Sequence, residues 1–500
     1  MTIDNVSRYV THWAQRDPDH EAIVAGDRRL SYAAFEQELA RLAGGLTALG
    51  LRRGDRVAAQ MPTCVEYLLL YMAVARIGGI LVGINAAYTA AETTYLLEVS
   101  RPRLLVGHSS LAGQLDEARR KSPVEHVFAV GDPAAGWRPW SELGALDDGT
   151  REWTTDADDP ILIVFTSGTT GRPKGAVLSH ANVIANIEAQ VRAFAMKRSD
   201  RAVLHLPMNH VAGATELTVG ALMAGATLLV LERFHPQTTL ELVSRERATF
   251  LGQVPAMFIM ELSLPDLARH DLSSLTRLVV AGAPLPPGLG EQMRRIAPVI
   301  TGYGMTELAG FVTYTSLDDD LETISRTVGR MTDEFELRVV DAQRQDVSAG
   351  EVGEVAVRGA CVMLGYYGDE AATQEVLDDD GWFFTGDMGR LDPEGRLCLV
   401  GRKKEMYITG GYNVYPPEVE DAIAAHPGVA LAACVGTPDA VLGEVGRAYV
   451  VPRPGTSLSS AELHAFLAQR LADYKLPKHY TIREKLPLTA LGKVDKKLLK

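Results

Sequence analysis

The stretch that decides the fold class is ILIVFTSGTTGRPKGAVLSH, residues Ile161 to His180. It opens with the apolar run of a buried strand and then changes to hydroxyl-bearing residues, glycines and one lysine, Lys174. Small residues let backbone N–H groups approach phosphate oxygens, and a lysine offsets the phosphate charge. A Walker A loop is excluded, because Lys174 precedes its glycine instead of following one. The stretch predicts a polyphosphate-binding loop after a buried strand, with a polar surface turn as the alternative.

The segments on either side repeat one pattern, in which an apolar helix, a glycine break and an apolar strand follow one another. YLLLYMAVARIGGILVGI (67–84) has this form, ALMAGATLLVL (221–231) repeats it, and LTRLVVAGAPL (275–285) ends another strand in a glycine turn. Apolar strands that alternate with helices are typical of largely parallel sheets covered on both faces. The fold class is therefore predicted to be α/β, with layered sheets in a large N-terminal domain.

The character of the sequence changes after Phe335. FELRVVD (335–341), GEVAVRG (353–359) and GRLCLVGR (395–402) are short alternating strands between turns, which predicts a small antiparallel, β-barrel-like subdomain. Beyond Gly401 a helix–strand pattern and a serine-capped helix, SSAELHAFLAQRLA, predict a small α+β domain. We expect residues 1–402 to form the N-terminal domain and residues 403–500 the C-terminal one.

The overall composition excludes several classes of protein. A net charge of −13 argues against a nucleic-acid binder and against a protein spread over anionic lipid. The longest apolar run, Leu217–Leu231, is shorter than the roughly 20 residues that span a bilayer, and the N-terminus does not resemble a secretory signal. The cysteines are far apart and are expected to be buried thiols in a cytoplasmic protein: Cys64, Cys361, Cys398 and Cys434.

The polar part of the opening stretch closely resembles the phosphate loop of the adenylate-forming superfamily, which includes acyl- and aryl-CoA synthetases, firefly luciferase and peptide-synthetase adenylation domains. The resemblance extends over nearly the whole chain. It implies an ATP site that includes Thr166, Ser167, Gly168, Thr169, Thr170 and Lys174. It also implies a C-terminal domain that rotates about a hinge near Lys404 between two half-reactions.

Three further motifs carry implied nucleotide contacts. TGYGMTE (301–307) is similar to the aromatic-Gly-x-Thr-Glu motif of the family, in which Tyr303 stacks on adenine, Thr306 contacts the α-phosphate and Glu307 holds Mg²⁺. Asp387, in WFFTGDMGR, would accept hydrogen bonds from the ribose, and Arg402 would reach the ribose or a phosphate. The remaining implied contacts are Gly282, Ala283 and Pro284 of the adenine shelf and Gly302, Gly304 and Met305.

The C-terminal tail contains PLTALGK (487–493), which matches the Pro-x-x-x-x-Gly-Lys tail of the family. The resemblance assigns Lys493 to the adenylation step, where a compact cation bridges the carboxylate and phosphate oxygens. Gly410 and Gly411 would line the route of the thiol. The other lysines of the tail are predicted to form an ordinary solvated helical end: Lys496, Lys497 and Lys500.

The acyl pocket is predicted by analogy with the family. His210 would separate it from the thiol channel, although a lone histidine is also typical of a packed core. The other residues implied around the acyl chain are Val211, Ala212, Thr215, Thr301, Gly304, Gly310 and Phe311. This set is small and uncharged, which favours a neutral hydrophobic monocarboxylate over a malonyl group or an amino acid. Asn209 and Ile408 depart from commoner family residues at their positions.

The resemblance implies an enzyme with ATP and Mg²⁺ as cofactors. A carboxylic acid would attack ATP to give an acyl-adenylate and pyrophosphate, and the thiol of CoA would then displace AMP. Two alternatives stay open: loading of an acyl- or peptidyl-carrier protein in trans, and a non-catalytic relative that only binds nucleotide or acyl ligand. A luciferase-like oxygenase is disfavoured, and a homodimer stays open.

Overall fold

The computed structural model of the chain describes residues 3–122, 124–147, 149, 153–166, 173–283, 285–487 and 494–499. The α-helices span Arg8–Arg16 (α1), Tyr32–Ala48 (α2), Val65–Arg76 (α3), Ala90–Ser100 (α4), Ala112–Lys121 (α5), Trp140–Ala145 (α6), His180–Ala193 (α7), Gly220–Ala224 (α8), Pro236–Glu246 (α9), Pro255–Leu262 (α10), Pro287–Arg294 (α11), Leu321–Arg326 (α12), Glu370–Val376 (α13), Pro416–Ala424 (α14) and Ser460–Ala468 (α15).

The strands span Glu21–Ala25 (β1), Arg28–Ser31 (β2), Arg56–Gln60 (β3), Ile80–Gly83 (β4), Leu104–His108 (β5), His126–Val130 (β6), Arg138–Pro139 (β7), Pro160–Thr166 (β8), Lys174–Ser179 (β9), Arg201–Leu204 (β10), Thr227–Val230 (β11), Phe250–Gln253 (β12), Arg277–Val280 (β13), Val299–Met305 (β14), Gly310–Tyr314 (β15), Arg330–Met331 (β16), Glu336–Val340 (β17), Gly353–Arg358 (β18), Gly365–Tyr366 (β19), Phe383–Leu391 (β20), Leu397–Arg402 (β21), Tyr407–Thr409 (β22), Tyr412–Val414 (β23), Val429–Asp439 (β24), Gly443–Pro452 (β25) and His479–Ile482 (β26).

Local sequence signals explain where several helices begin. The hydroxyl of Ser179 accepts a hydrogen bond from the N–H of Asn182, whose side chain accepts one from the N–H of Ser179, so α7 starts with a capping box. Ser459 caps α15 by accepting from the N–H of Glu462, as the sequence predicts. Helix α3 carries apolar residues on all of its faces, and it is accordingly almost entirely buried.

The N-terminal unit comprises Met1–Glu336 and Arg358–Phe383. Over its described residues, one sheet has the strand order β19-β9-β8-β4-β3-β5-β6-β7 and a second has the order β16-β15-β14-β13-β12-β10-β11-β1-β2. Most neighbouring strands run parallel, while β8–β9, β9–β19, β14–β15, β15–β16 and β1–β2 are antiparallel. Helices pack on these sheets, so that Leu97 of α4 and Leu115 of α5 are buried with Leu105 and Ile163 of the first sheet. The predicted α/β class is confirmed.

The C-terminal unit comprises Leu337–Val357 and Phe384–Lys500. It contains a four-stranded sheet in the order β17-β18-β20-β21, where the sequence predicts a small antiparallel subdomain, and a sheet formed by β23-β22-β25-β24 with β26 beside β25. Val419 of α14 and Leu463 of α15 are buried on the latter sheet with Val450. The boundary expected between residues 402 and 403 stays a prediction.

Two expectations about the composition are tested by the structure. Within the described ranges, no helix is both long and apolar enough to cross a membrane. The four cysteines are free thiols, and Cys64, Cys361 and Cys434 are buried while Cys398 is partly exposed. The expectation of buried thiols therefore holds for three of the four.

Candidate active site

The opening stretch folds as the antiparallel pair β8–β9. Thr166 is paired with Lys174, and the hydroxyl of Thr166 donates to the carbonyl of Lys174 at 3.4 Å. This pairing brings the two ends of the glycine- and hydroxyl-rich segment together at the edge of a sheet. Four residues assigned to the nucleotide site, Ser167, Gly168, Thr169 and Thr170, lie outside the described residues.

Lys174 lies close to a residue that the sequence did not single out, Tyr366. Strand β19 pairs with β9, which places the ring of Tyr366 5.1 Å from the ammonium nitrogen of Lys174. The hydroxyl of Tyr366 donates to Oε1 of Glu307 at 2.9 Å. Burial and the neighbouring Glu307 carboxylate raise the pKa of Tyr366, so the hydroxyl stays protonated and continues to donate at neutral pH. Tyr366 thus contacts the ammonium of Lys174 through its ring and the carboxylate of Glu307 through its hydroxyl.

Glu307 and Thr306 begin a short 3₁₀ helix, Thr306–Leu308, directly after β14. Both are buried, with Glu307 6% exposed. Packing requires glycine at position 304 of this motif, since a Cβ there would lie 2.0 Å from the carbonyl oxygen of Gly310 on β15. Strand β15 therefore packs closely against β14, directly before the start of the 3₁₀ helix.

The predicted adenine shelf follows β13, which runs parallel to β14 with Val280 beside Thr301. Because the carboxyl ends of neighbouring parallel strands meet at one edge, the shelf leaves the sheet next to the TGYGMTE motif. Gly282 and Ala283 are exposed there, and Gly282 has φ +82°, a conformation that glycine adopts without strain. Pro284 lies outside the described residues.

Tyr303, the residue assigned to adenine, lies in β14 and is buried. Its N–H donates to the hydroxyl of Thr313 at 3.2 Å, which fixes its backbone against β15. Gly302 and Met305 flank it in the same strand. The structure therefore gathers the TGYGMTE residues at one sheet edge, while stacking on adenine stays a prediction.

Residues assigned to the acyl pocket also converge in the N-terminal unit. The hydroxyl of Thr215 lies 2.8 Å from the carbonyl of Val211 and 2.7 Å from that of Ala309, which joins this segment to the start of β15. On β15, Phe311 is paired with Gly304. Its buried ring packs 5.8 Å from the centroid of Phe194, within an aromatic cluster that includes Tyr314.

His210 precedes this segment and is only partly buried. Its Nδ1 accepts a hydrogen bond from the N–H of Ala212 at 3.2 Å, which holds the ring against the start of the following helix. The structure therefore does not place His210 in a fully packed core. The role of His210 between the acyl pocket and the thiol channel stays a prediction.

Glu216 is a residue that sequence reasoning missed. It follows Thr215 in a π-helix, Ala212–Val219, and lies deep in the unit, although part of its surface remains accessible. Burial raises the pKa of Glu216 to about 8. The predicted pocket was uncharged, and the structure adds a carboxyl group beside Gly310. The available signal was a lone acidic residue within a long apolar stretch.

In the C-terminal unit, Asp387 and Arg402 face each other across β20 and β21. Nε of Arg402 lies 3.3 Å from Oδ1 of Asp387, and Arg402 is largely exposed while Asp387 is mostly buried. The N–H of Asp387 donates to the hydroxyl of Thr385 at 3.1 Å, which orients the strand at this point. The structure brings together the two residues assigned to the ribose.

Lys404 lies in the exposed turn that follows β21. The nearby glycines, Gly410 and Gly411, form the two-residue turn between β22 and β23, and Thr409 pairs with Tyr412 across it. Both have positive φ, +55° and +88°, as a tight hairpin turn of this length requires. The hairpin turn therefore explains why both positions are glycine, and their place in a thiol channel stays a prediction.

The tail corrects one prediction. Lys493 and Lys500 lie outside the described residues. Lys497 is exposed as expected, but Lys496 is only 21% exposed and forms ion pairs with Glu405 at 3.0 Å and Glu420 at 2.8 Å. Desolvation lowers the pKa of Lys496, yet the two carboxylates outweigh it and the net pKa is raised. The prediction that Lys496 is solvated is wrong, because the tail packs against the C-terminal unit.

Known proteins are similar to this chain over nearly its whole length. A family model described as AMP-binding enzyme matches residues 10–367, and one described as AMP-binding enzyme C-terminal domain matches residues 418–493. A feruloyl-CoA synthase of an Amycolatopsis species is 36% identical, over 97% of this chain and 96% of that protein. An indoleacetate–CoA ligase of Aromatoleum aromaticum is also 36% identical, over 98% of this chain and 96% of that protein.

A solved structure gives the same picture. The ATP-bound crystal structure of MatB from Rhodopseudomonas palustris has a TM-score of 0.89 and 32% identity, over 99% of this chain and 98% of that one. The family models together match most of the chain, and the relatives match it almost from end to end. The chain therefore belongs to the AMP-binding enzyme family, within the adenylate-forming superfamily, and is an AMP-forming acid–CoA ligase.

Proposed function

We propose that this ligase activates a hydrophobic, ring-bearing monocarboxylic acid, with the catalytic roles that the resemblance implies. The observation that carries the proposal is the grouping of Lys174, Tyr366 and Glu307 beside the β8–β9 pair. A cation and an oriented carboxylate at the edge of a polyphosphate-type loop suit ATP and its metal ion.

Glu307 is the residue that we assign to Mg²⁺. Among the described residues, no group of three His, Cys, Asp or Glu side chains could hold a metal ion. Mg²⁺ is usually bound through one or two carboxylates together with substrate phosphates, so a single carboxylate oriented by Tyr366 fits it. Mg²⁺ would supply charge neutralisation on the phosphates as pyrophosphate leaves.

In the first half-reaction, an oxygen of the substrate carboxylate attacks the α-phosphorus of ATP, forming the acyl-adenylate and breaking the bond to pyrophosphate. Lys174 offsets phosphate charge, Thr306 donates to the α-phosphate, and Lys493 bridges the carboxylate and phosphate oxygens. Tyr303 and the shelf residues hold adenine. Because little covalent chemistry is asked of the protein, positioning and electrostatics dominate.

In the second half-reaction, the thiolate of CoA attacks the acyl carbon and AMP leaves. The residues 403–500 would turn about a hinge near Lys404, withdrawing Lys493 and admitting the thiol past His210, Gly410 and Gly411. Asp387 and Arg402, already paired with each other, would hold the ribose. The relatives are CoA ligases, so CoA is favoured over a carrier protein as the acceptor.

The proposed acid class rests on the pocket and on the relatives. Phe194 and Phe311 form an aromatic pair in the region of the predicted pocket. The two relatives described above are named for feruloyl and indoleacetate groups, which both contain rings.

A pyrophosphate-exchange screen tests this proposal. Purified protein is incubated with ATP, Mg²⁺ and labelled pyrophosphate, and each of a panel of aromatic, alicyclic and straight-chain acids is added separately. We expect label to enter ATP with ring-bearing acids and much less with short straight-chain or dicarboxylic acids. AMP release with CoA, compared with holo carrier proteins, identifies the acceptor. Exchange that favours dicarboxylic acids, or no exchange with any acid, contradicts the proposal.

A further inference from the structure

Glu354, in strand β18 of the C-terminal unit, accepts hydrogen bonds with both oxygens of its carboxylate. Oε1 accepts from the backbone N–H of Gly386 at 3.1 Å, and Oε2 accepts from the ammonium of Lys403 at 2.7 Å. The side chain of Glu354 is only 12% exposed, while that of Lys403 is 52% exposed. A mostly buried carboxylate is costly unless hydrogen bonds compensate it, so these two bonds determine its position.

The two residues that Glu354 contacts flank the pair assigned to the ribose. Gly386 directly precedes Asp387 on β20, and Lys403 directly follows Arg402 at the end of β21. The N–H of Lys403 also donates to the carbonyl of Gly386 at 2.9 Å. Glu354, Gly386 and Lys403 therefore form one connected network beside the paired side chains of Asp387 and Arg402.

Gly386 needs such contacts because glycine is conformationally permissive. It has φ +72°, which glycine adopts without strain, and a Cβ there would meet no atom of the described residues within 4 Å, its chain neighbours aside. Backbone conformation and not crowding therefore explains the glycine. The peptide directly before Asp387 is fixed by contacts from outside: Glu354 binds the N–H of Gly386, and the N–H of Lys403 binds its carbonyl.

Of the two bonds that Glu354 makes, the one to Gly386 contributes more. An ion pair with an exposed lysine such as Lys403 contributes little, because solvent screens the charges. A backbone N–H that donates to a mostly buried carboxylate forms a charge-assisted hydrogen bond, which is roughly twice as strong as a neutral one. The main effect of Glu354 is therefore on the backbone beside Asp387.

We propose that Glu354 is a positioning residue for nucleotide binding, which fixes the Gly386 peptide and thereby orients the carboxylate of Asp387 towards the ribose hydroxyls. The inference deepens the proposed role of Asp387 at the ribose and rests on it. Glu354 acts through Asp387 and does not itself contact the nucleotide. Because bidentate recognition depends on geometry, loss of Glu354 should weaken recognition of the ribose hydroxyls in particular.

Equilibrium binding of AMP, 2′-deoxy-AMP and 3′-deoxy-AMP to the full chain, measured by calorimetry, tests this proposal. No carboxylic acid is needed, so the result is independent of the acid class. We expect the wild type to bind AMP about tenfold or more tightly than either deoxy analogue, because a site that hydrogen-bonds a hydroxyl discriminates against a ligand that lacks it. Glu354→Ala should reduce this preference to about threefold or less, by weakening the binding of AMP and not that of the deoxy analogues.

Asp392→Ala is the matched control. Asp392 lies in the turn at the other end of the β20–β21 hairpin, is 16% exposed, and accepts from the backbone N–H of Arg396 at 2.8 Å and from its Nε at 2.7 Å. Its loss removes a similar network far along the strands from the ribose pair, so the preference for AMP should stay at the wild-type value.

Two further variants of position 354 separate the contacts. Glu354→Gln keeps an oxygen that can accept from the N–H of Gly386, and it should retain most of the preference for AMP. Glu354→Met keeps the length of the side chain and removes both oxygens, and it replaces Glu354→Ala if that variant fails to fold.

Three results would overturn this inference while leaving the ribose role of Asp387 intact, provided that Asp387→Ala loses the preference for AMP. They are an unchanged preference in Glu354→Ala, an equal loss in Asp392→Ala, and an equal loss in Glu354→Gln. Equal binding of AMP and both deoxy analogues by the wild type overturns the ribose role of Asp387 and this inference with it. Absence of AMP binding by the wild type overturns the proposed function as well.

Discussion

At the scale of single residues, Tyr366 joins two charged groups that the proposed mechanism uses. Its hydroxyl donates to Glu307, and its ring lies beside the ammonium of Lys174. No sequence motif pointed to Tyr366, because its partners are distant along the chain and meet it only through the pairing of β9 with β19. We infer that Tyr366 is a positioning residue that orients Glu307 for Mg²⁺.

Replacing Tyr366 by Phe removes the hydroxyl and keeps the ring. We expect kcat for pyrophosphate exchange to fall about tenfold, because a hydrogen bond to a charged group is worth about 1.5–3 kcal/mol. The Mg²⁺ concentration for half-maximal exchange should also rise. Tyr367→Phe, at the neighbouring half-buried position, is the control. An unchanged Mg²⁺ requirement in Tyr366→Phe would remove Tyr366 from this role.

His205, directly after β10, gives the protein a pH-dependent stability. It is buried, neither ring nitrogen has a hydrogen-bond partner among the described residues, and burial lowers its pKa to about 4. Below pH 6.5, His205 becomes protonated in the unfolded chain but stays neutral in the folded chain until the pH approaches 4. Stability from the neutral ring is therefore complete above pH 6.5 and is lost as the pH falls towards 4, by about 3 kcal/mol.

Urea denaturation between pH 4 and pH 7 measures this effect. The free energy of unfolding of the wild type should fall more steeply with decreasing pH than that of His205→Leu, by about 1 kcal/mol per pH unit. Parallel pH profiles for the two proteins would show that His205 does not titrate in this way.

At the scale of elements, the sequence correctly predicted the helices and strands whose pattern is local, and it failed where tertiary contacts decide. The glycine break in YLLLYMAVARIGGILVGI correctly separates α3 from β4, since local pattern is sufficient there. The π-helix that carries Glu216 has no local pattern, because its contacts with Gly310 and Gln190 involve distant segments. Lys496 was mistaken for a solvated residue because its carboxylate partners lie far earlier in the chain.

The tail segment Val494–Leu499 shows how such contacts stabilise an element. Lys496 is paired with Glu405 and Glu420, and the hydroxyl of Tyr449 donates to the carbonyl of Leu499 at 2.6 Å. Leu499 is buried in the same unit. The tail that follows Lys493 is thus attached to the C-terminal unit by an ion-pair network, a hydrogen bond and apolar packing.

Lys496→Ala should lower the free energy of unfolding of the C-terminal unit by about 2 kcal/mol. Removing one partner of a fully buried ion pair costs about 3–5 kcal/mol, and Lys496 retains some exposure. Chemical denaturation monitored in this unit measures the loss, with Lys497→Ala as the exposed control and Lys496→Arg as the charge-conserving one. Equal stability of the Lys496→Ala and Lys497→Ala proteins would contradict the assignment.

At the scale of the whole molecule, the chain divides into two compact units, each with its own group of site residues. The N-terminal unit holds Lys174, Tyr366 and Glu307, and the C-terminal unit holds the pair of Asp387 and Arg402. The proposed mechanism assigns adenylation and thioester formation to different placements of residues 403–500. This division of labour makes the two half-reactions separable by mutation.

The most direct test of this account is to measure both half-reactions separately in Lys493→Ala. Acid-dependent pyrophosphate exchange reports adenylation, and conversion of supplied acyl-adenylate and CoA into acyl-CoA reports thioester formation. The account predicts that the variant loses exchange by orders of magnitude and keeps thioester formation near the wild-type rate. Equal loss of both half-reactions, or exchange at the wild-type rate, would contradict it.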